Sequence, residues 1–284
     1  MTSIKLPAVA KLNLFLHITG RRPDGYHNLQ TLFQLLDIGD ELTFSLRHDQ
    51  QLLLDCNDKS LINDNNLVLR AAKLMQQIAA SRGINPGCSI YLDKRIPMGG
   101  GLGGGSSDAA TTLLALNKLW QLNLTATKLA QLGLQLGADV PVFIQGRTAF
   151  AEGVGEKLKP VDLPSKTYLI ITPDCHVSTA DIFNHPDLVR DSPLLTLRTL
   201  MHSPWRNDCQ PLVEKLQPIV AKTVQWLVEY APSRMTGTGA SVFAEFPDQT
   251  SAQYALAQLP ADWRGFIALG VNQSPLLAAL ADTE

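Results

Sequence analysis

The stretch PMGGGLGGGSSDAA, residues 97–110, decides how the rest of the chain is read, because six of the seven positions from Gly99 to Gly105 are glycine and two serines follow at once. Inside ordinary secondary structure each glycine costs roughly 0.5–1 kcal/mol relative to alanine. A run this dense therefore implies a backbone that must turn sharply or be approached closely. On its amino-terminal side, Cys88 to Leu92 reads as an apolar strand. On its carboxyl-terminal side, Ala109 to Trp120 has helical spacing, with Leu113, Leu114, Leu116 and Trp120 inward. The glycines join a strand to a helix, and such a turn presents consecutive N–H groups at the positive end of the helix dipole, a site suited to phosphate.

Of the common phosphate-binding patterns, the Walker A type fails because Gly105 and Ser106 follow Gly104 and the lysine is missing. The dinucleotide pattern matches Gly99, Gly101 and Gly104, but no Asp or Glu occurs from Ala109 to Ala138 to hold a ribose. The protein-kinase pattern needs a valine where Ser106 stands. What remains is a loop lying along a triphosphate: Pro97, Met98, Gly99, Gly100, Gly101, Leu102, Gly103, Gly104 and Gly105, with Ser106 and Ser107 at the helix start. The serine hydroxyls can cap that helix or reach a phosphate oxygen or its metal. A flexible linker is the competing reading, opposed by Leu102 among the glycines and by the strand-to-helix setting. Asp108 is expected to face away from an anion.

Moving outward, residues 11–19 alternate, with Leu12, Leu14, Leu16 and Ile18 on one face of a strand and Lys11, Asn13, Phe15 and His17 on the other. A turn at residues 22–25 leads to Tyr26 and His27, then to strand-like segments at 29–36 and 41–46. Residues 66–80 have helical spacing. A further helix over 127–136 stops at Gly137 and hands over to Ala138, Asp139, Val140 and Pro141. The Pro- and charge-bearing tract at 159–166 is the best candidate linker, which divides the chain into domains at 1–158 and 159–284. Beyond it, strands at 168–172, 241–246 and 265–269 and helical stretches at 212–230 and 251–259 predict an α+β unit.

Composition narrows the function. At 284 residues, two domains are expected. The 24 basic and 26 acidic residues give a net charge of -2 with no basic stripe, which argues against a nucleic-acid partner. Four scattered cysteines without a C-x-x-C pair read as reduced thiols, and six histidines without an H-E-x-x-H pattern argue against a structural transition metal. No window approaches the ~20 apolar residues of a membrane span. The first twenty residues show no small-residue cleavage site, so a cytoplasmic location is expected.

Three segments together resemble the motifs of the GHMP kinase superfamily: AKLNLFL at 10–16, PMGGGLGGGSSDAA at 97–110 and TGTGASVFAEF at 236–246. The longer stretch AKLNLFLHITGRRPDGYHNLQTLFQ at 10–34 and LGADVPVF at 136–143 resemble the branch of that superfamily acting on a cytidine diphosphate-linked methylerythritol. One departure is Val9, where the superfamily usually has proline before the Ala-Lys pair. The resemblance implies a two-domain α+β fold, with an N-terminal ATP-binding α/β domain holding a left-handed β-α-β crossover and a ferredoxin-like C-terminal domain. It also implies a small-molecule kinase using ATP and Mg2+, with no protein metal site identified. A homoserine- or mevalonate-type kinase and a non-catalytic nucleotide-binding sensor are the alternatives. With composition excluding nucleic acid and membrane, a monomer or weak homodimer is expected.

The residue roles it implies stand beside plainer readings. Asp139 would take the proton of the attacking hydroxyl, or else be a helix cap or turn acid before Val140 and Pro141. Lys11 would sit beside it and meet developing negative charge, or else be an edge residue of a strand. Asn13 would contact the polyol, while Tyr26, His27 and Phe183 would hold cytosine, with Thr179 as a further contact. Asn66 and Lys94 would lie near the adenine or ribose, or else be a helix cap and a surface lysine. The turn at 236–239 is expected to close the site between the domains.

Overall fold

The computed structural model describes residues 3–282. In chain order the first half comprises β1 (Ser3–Arg21), β2 (His27–Arg47), β3 (Leu52–Cys56), α1 (Leu67–Ala80), β4 (Gly87–Asp93), α2 (Gly104–Leu119), α3 (Ala126–Leu134), α4 (Val140–Gln145), β5 (Ala149–Gly153) and β6 (Lys157–Pro160). The second half comprises β7 (Thr167–Thr172), α5 (Thr179–Asn184), α6 (Leu197–Met201), α7 (Gln210–Leu216), α8 (Pro218–Val228), β8 (Ser233–Met235), β9 (Val242–Phe246), α9 (Gln249–Ala257), β10 (Arg264–Val271) and α10 (Pro275–Ala281).

β1 and β2 form a long antiparallel hairpin whose register runs from Ser3↔Ser45 to Arg21↔His27. The predicted segments at 29–36 and 41–46 are therefore parts of one strand. β2 pairs in turn with β4, β5 and β10. β3 and β4 are parallel with α1 between them, a β-α-β unit. α1 buries Val68, Ala71, Ala72, Met75 and Ala79, the stripe its spacing predicts. The strand runs unbroken through Val9, which is buried in the first core.

The alternation along β1 does not persist. Register shifts fall between Val9 and Lys11, between Asn13 and Leu16, and between Ile18 and Gly20. A bulge adds one residue and exchanges the faces beyond it. Lys11 and Asn13 still share the cleft side, but it is Leu16 that follows them there. Phe15 instead packs with Leu12 and Leu14 in one core cluster, and His17 is buried against the Phe15 ring, 5.1 Å between centroids. The expectation that Phe15 and His17 line the same face as Lys11 is corrected accordingly.

In the second half the strand order is β10-β7-β9-β8, every neighbour antiparallel. With α8 between β7 and β8 and α9 between β9 and β10, this is the split β-α-β arrangement of a ferredoxin-like unit. The expected helix over 212–230 is two helices, broken at Gln217 where Pro218 opens α8. The tract at 159–166 begins as the end of β6, paired to β5. The chain also crosses back: β10 pairs with β2 through Gly270↔Leu36, and Leu276 of α10 packs into the first core.

Candidate active site

β4 delivers the chain to the glycine loop, and the loop runs into α2 through Gly103, whose φ of 75° is left-handed. Gly99 and Gly101 share that region, with φ of 67° and 74°. The loop is bare chiefly because another segment lies against it. The N–H groups of Ala240 and Ser241 donate to the carbonyls of Gly99 and Gly100 at 3.3 and 3.1 Å, so the backbone just past the late turn at 236–239 is hydrogen-bonded to the loop. A Cβ on Gly101 would run into the Thr236 carbonyl oxygen, and one on Gly103 would lie 2.9 Å from the Phe143 ring and 3.0 Å from the Lys11 Cε. No side chain caps α2, so the N–H groups of its first turn have no side-chain acceptor.

Lys11 enters from β1. Its main-chain N–H donates to the Leu102 carbonyl at 3.0 Å, stitching strand to loop. Its Nζ is 3.2 Å from Asp139 Oδ2, donates to Gly101 O at 3.0 Å and to Asn13 Oδ1 at 2.5 Å, and stands 5.4 Å over the Phe33 ring. The lysine is only 2% exposed. A buried ammonium of this kind needs its partners, and they are present. Asp139 occupies the cap position of α4, yet its carboxylate makes no capping bond and is one-third exposed. The plainer reading of Asp139 as a cap is not what its side chain does. Asn13 is held on three sides: its N–H donates to Thr236 Oγ1 and its Nδ2 to Thr31 Oγ1, both at 2.8 Å, while Oδ1 faces Lys11.

Lys94 is neither free nor on the surface. Its Nζ bridges Asp40 Oδ2 at 2.5 Å and Asp108 Oδ2 at 2.8 Å. Burial works against the ammonium, but the Asp108 and Asp40 carboxylates outweigh it and hold Lys94 above its usual range. Burial also pushes the Asp108 carboxyl up to about 8 against the pull of Lys94, and its Oδ1 has no protein partner. Against the expectation that it faces away from an anion, Asp108 is buried and borders the cleft. Asn66 is the cap of α1, accepting from the Val68 N–H at 2.8 Å, and still lines the cleft. Ser106 lines the cleft too, whereas Ser107 is buried and does not.

At the far end of the same cleft, His27 and Phe183 stack with ring centroids 5.2 Å apart and an interplanar angle of 29°. Tyr26 beside them is 62% exposed. Thr179 shares a hydrogen bond of 2.8 Å with Thr238 of the late turn. One cleft of about 810 Å³ thus holds the whole glycine loop with Pro97 and Met98, the Lys11–Asp139 pair, and the aromatic end. Thr31 and Phe33 also line it and are not singled out by the sequence; the β1–β2 register sets Phe33 opposite Asn13, which leaves its ring under the Lys11 ammonium. Among the described residues no group of three or more His, Cys, Asp or Glu side chains is assembled, and no helix is long and apolar enough to cross a membrane.

A bare glycine turn beside a Lys–Asp ion pair, in a chain whose second half is a split β-α-β unit, is the arrangement of a class of phosphotransferase. The GHMP kinases N terminal domain matches residues 66–147 and the GHMP kinases C terminal family matches 187–265, and the chain belongs to the GHMP kinase family. It is 60% identical over 280 residues, 98% of each chain, to the 4-diphosphocytidyl-2-C-methyl-D-erythritol kinase of Shewanella woodyi, and 59% identical over 276 residues to that of Shewanella baltica, covering 97% of this chain and 96% of the other. A solved structure of 4-(cytidine 5'-diphospho)-2C-methyl-D-erythritol kinase superposes with a TM-score of 0.81 at 33% identity, over 94% of this chain and all of the other. The mevalonate kinase of Methanococcus jannaschii, at 17% identity and a TM-score of 0.68 over 95% of this chain and 98% of the other, shares the fold.

Proposed function

We propose that the protein transfers the terminal phosphoryl group of ATP to the C2 hydroxyl of 4-diphosphocytidyl-2-C-methyl-D-erythritol, giving the 2-phosphate and ADP. The observation that carries the reading is the Lys11–Asp139 pair, 3.2 Å apart and hydrogen-bonded to the glycine loop through Gly101. Phosphoryl transfer asks a protein mainly for positioning and charge stabilisation, with one group to receive the hydroxyl proton. Asp139 is the acceptor, since its carboxylate is partly open to the cleft and not spent on capping α4. Lys11 holds that carboxylate in place at 3.2 Å and meets charge developing on the transferred group. The N–H groups of the loop and the first turn of α2 receive the phosphates.

ATP suits the loop because the left-handed glycines and the uncapped α2 terminus present bare backbone to the cleft. Magnesium would come with the nucleotide, with the Ser106 hydroxyl and the Asp139 carboxylate as the protein oxygens at hand, since hard cations take oxygen ligands. The stacked His27–Phe183 pair with Tyr26 suits a pyrimidine ring, and Asn13 is placed for the polyol. Asn66 and Lys94 border the nucleotide end, Lys94 acting through the shape its ion pairs give the cleft. The test is ADP release with the cytidyl substrate, mevalonate and homoserine in parallel. Turnover with the cytidyl compound alone is expected; turnover only with one of the others would overturn the substrate assignment.

A further inference from the structure

Arg190 belongs to no motif and touches neither the glycine loop nor the Lys11–Asp139 pair, yet every arm of its guanidinium is engaged at the aromatic end of the cleft. Its Nε donates to His27 Nε2 at 2.9 Å and its Nη1 to the Leu188 carbonyl at 2.8 Å. Its Nη2 donates to the carbonyls of Phe183 and His185 at 2.8 and 2.7 Å. One side chain thus ties together the two rings that stack on each other, His27 through its side chain and Phe183 through its backbone.

A guanidinium has donors only and keeps its charge throughout the physiological range. At Nε2, His27 must therefore be the acceptor, and in the neutral ring the single proton is on Nδ1. Burial first, then the positive charges of Arg190 and Arg21, hold His27 below its ordinary range, so the neutral ring is the form to consider. Nδ1 has no hydrogen-bond partner among the described residues, and the residue lines the cleft. The open edge of the ring is consequently a donor.

We propose that Arg190 is a positioning residue that fixes His27 as the Nδ1–H tautomer, so that the site accepts a pyrimidine offering a lone pair at N3, as cytosine does, and rejects one carrying a proton there, as uracil does. This rests on the reading of the cleft as a cytidine diphosphate site. A donor facing a donor leaves both buried and unpaired, which is a stronger basis for rejection than the loss of a contact.

Two measurements test it. In the wild-type protein, long-range 1H–15N correlation of the His27 ring should show the proton on Nδ1 and a bare Nε2; a proton on Nε2 would overturn the proposal, and this result needs no variant. In Arg190→Met, KM for the cytidyl substrate should rise about tenfold with kcat and the KM for ATP little changed, and the preference for the cytidyl compound over its uridyl analogue should fall by about tenfold. An unchanged cytidyl-to-uridyl ratio would overturn the proposal even if stability dropped. If neither compound is phosphorylated by the wild type, the substrate assignment is what fails, and the tautomer measurement still decides what Arg190 does.

Discussion

Asp108 stands within the glycine motif, and what it does follows from where it is buried. Its carboxyl is raised from 3.8 to about 8, by burial first. A carboxyl raised on folding favours the folded state fully below its unfolded value and ceases to do so as pH rises through the folded one, so the window here runs from 3.8 to about 8. His17 and His27, both lowered chiefly by burial, act the other way and withdraw their contribution as pH falls below 6.5. The urea midpoint is therefore expected to fall as pH is taken from about 6 to about 9, and Asp108→Asn, which removes the titrating group while keeping the shape, should flatten that fall. Equal slopes in the two proteins would contradict the account. The acid was visible in the sequence, but its partners Asp40 and Lys94 lie 68 and 14 positions away in the chain, and only the β2–β4 register, Glu41↔Asp93, brings them under the loop. Asn66 was more legible, because a cap depends on neighbours two residues away.

The glycine stretch joins a strand to a helix, as its flanks in the sequence indicate: β4 precedes it, and α2 begins within it, at Gly104. The fold demands glycine at some of these positions and not at others, and substitution tells the positions apart. Gly101 has a φ of 74° and lies against the Thr236 carbonyl, so Gly101→Ala should cost at least about 1–3 kcal/mol in urea denaturation from backbone strain alone. Gly105 has no such φ, and a Cβ there would meet only the Leu67 Cδ1 at 3.6 Å, so Gly105→Ala should leave the midpoint unchanged or higher. Equal losses at the two positions would show that the loop is not shaped by its contact with the late turn. The bulge beyond Asn13 was illegible for a related reason: alternation is local, while a register shift is set by the partner strand. The end of β6 falls inside the tract that reads as a linker, because its only ladder is with β5 and its single leucine, Leu158, sits between two lysines. The break at Pro218, by contrast, stood in the sequence as a proline inside an apparent helix.

For the whole molecule, the two halves are less separate than a cut near residue 159 suggests. β1 gives its first part to the core under α1 and α2, and its last part, Leu16 and Ile18, to the core of the ferredoxin-like unit. β10 and α10 return the favour by joining β2 and the first core. The cleft lies where these exchanges meet, which is why Lys11 from β1, the glycine loop before α2 and the turn before β9 can be held within hydrogen-bonding distance of one another. The central claim is that this meeting point places the Lys11–Asp139 pair at the transferred phosphoryl group. It is tested most directly by Asp139→Asn, measuring turnover and ATP affinity on the same preparation. Loss of a proton acceptor from a site that otherwise stands should lower kcat by at least about a hundredfold while ATP affinity stays within about twofold. Turnover equal to that of the unsubstituted protein would contradict the claim.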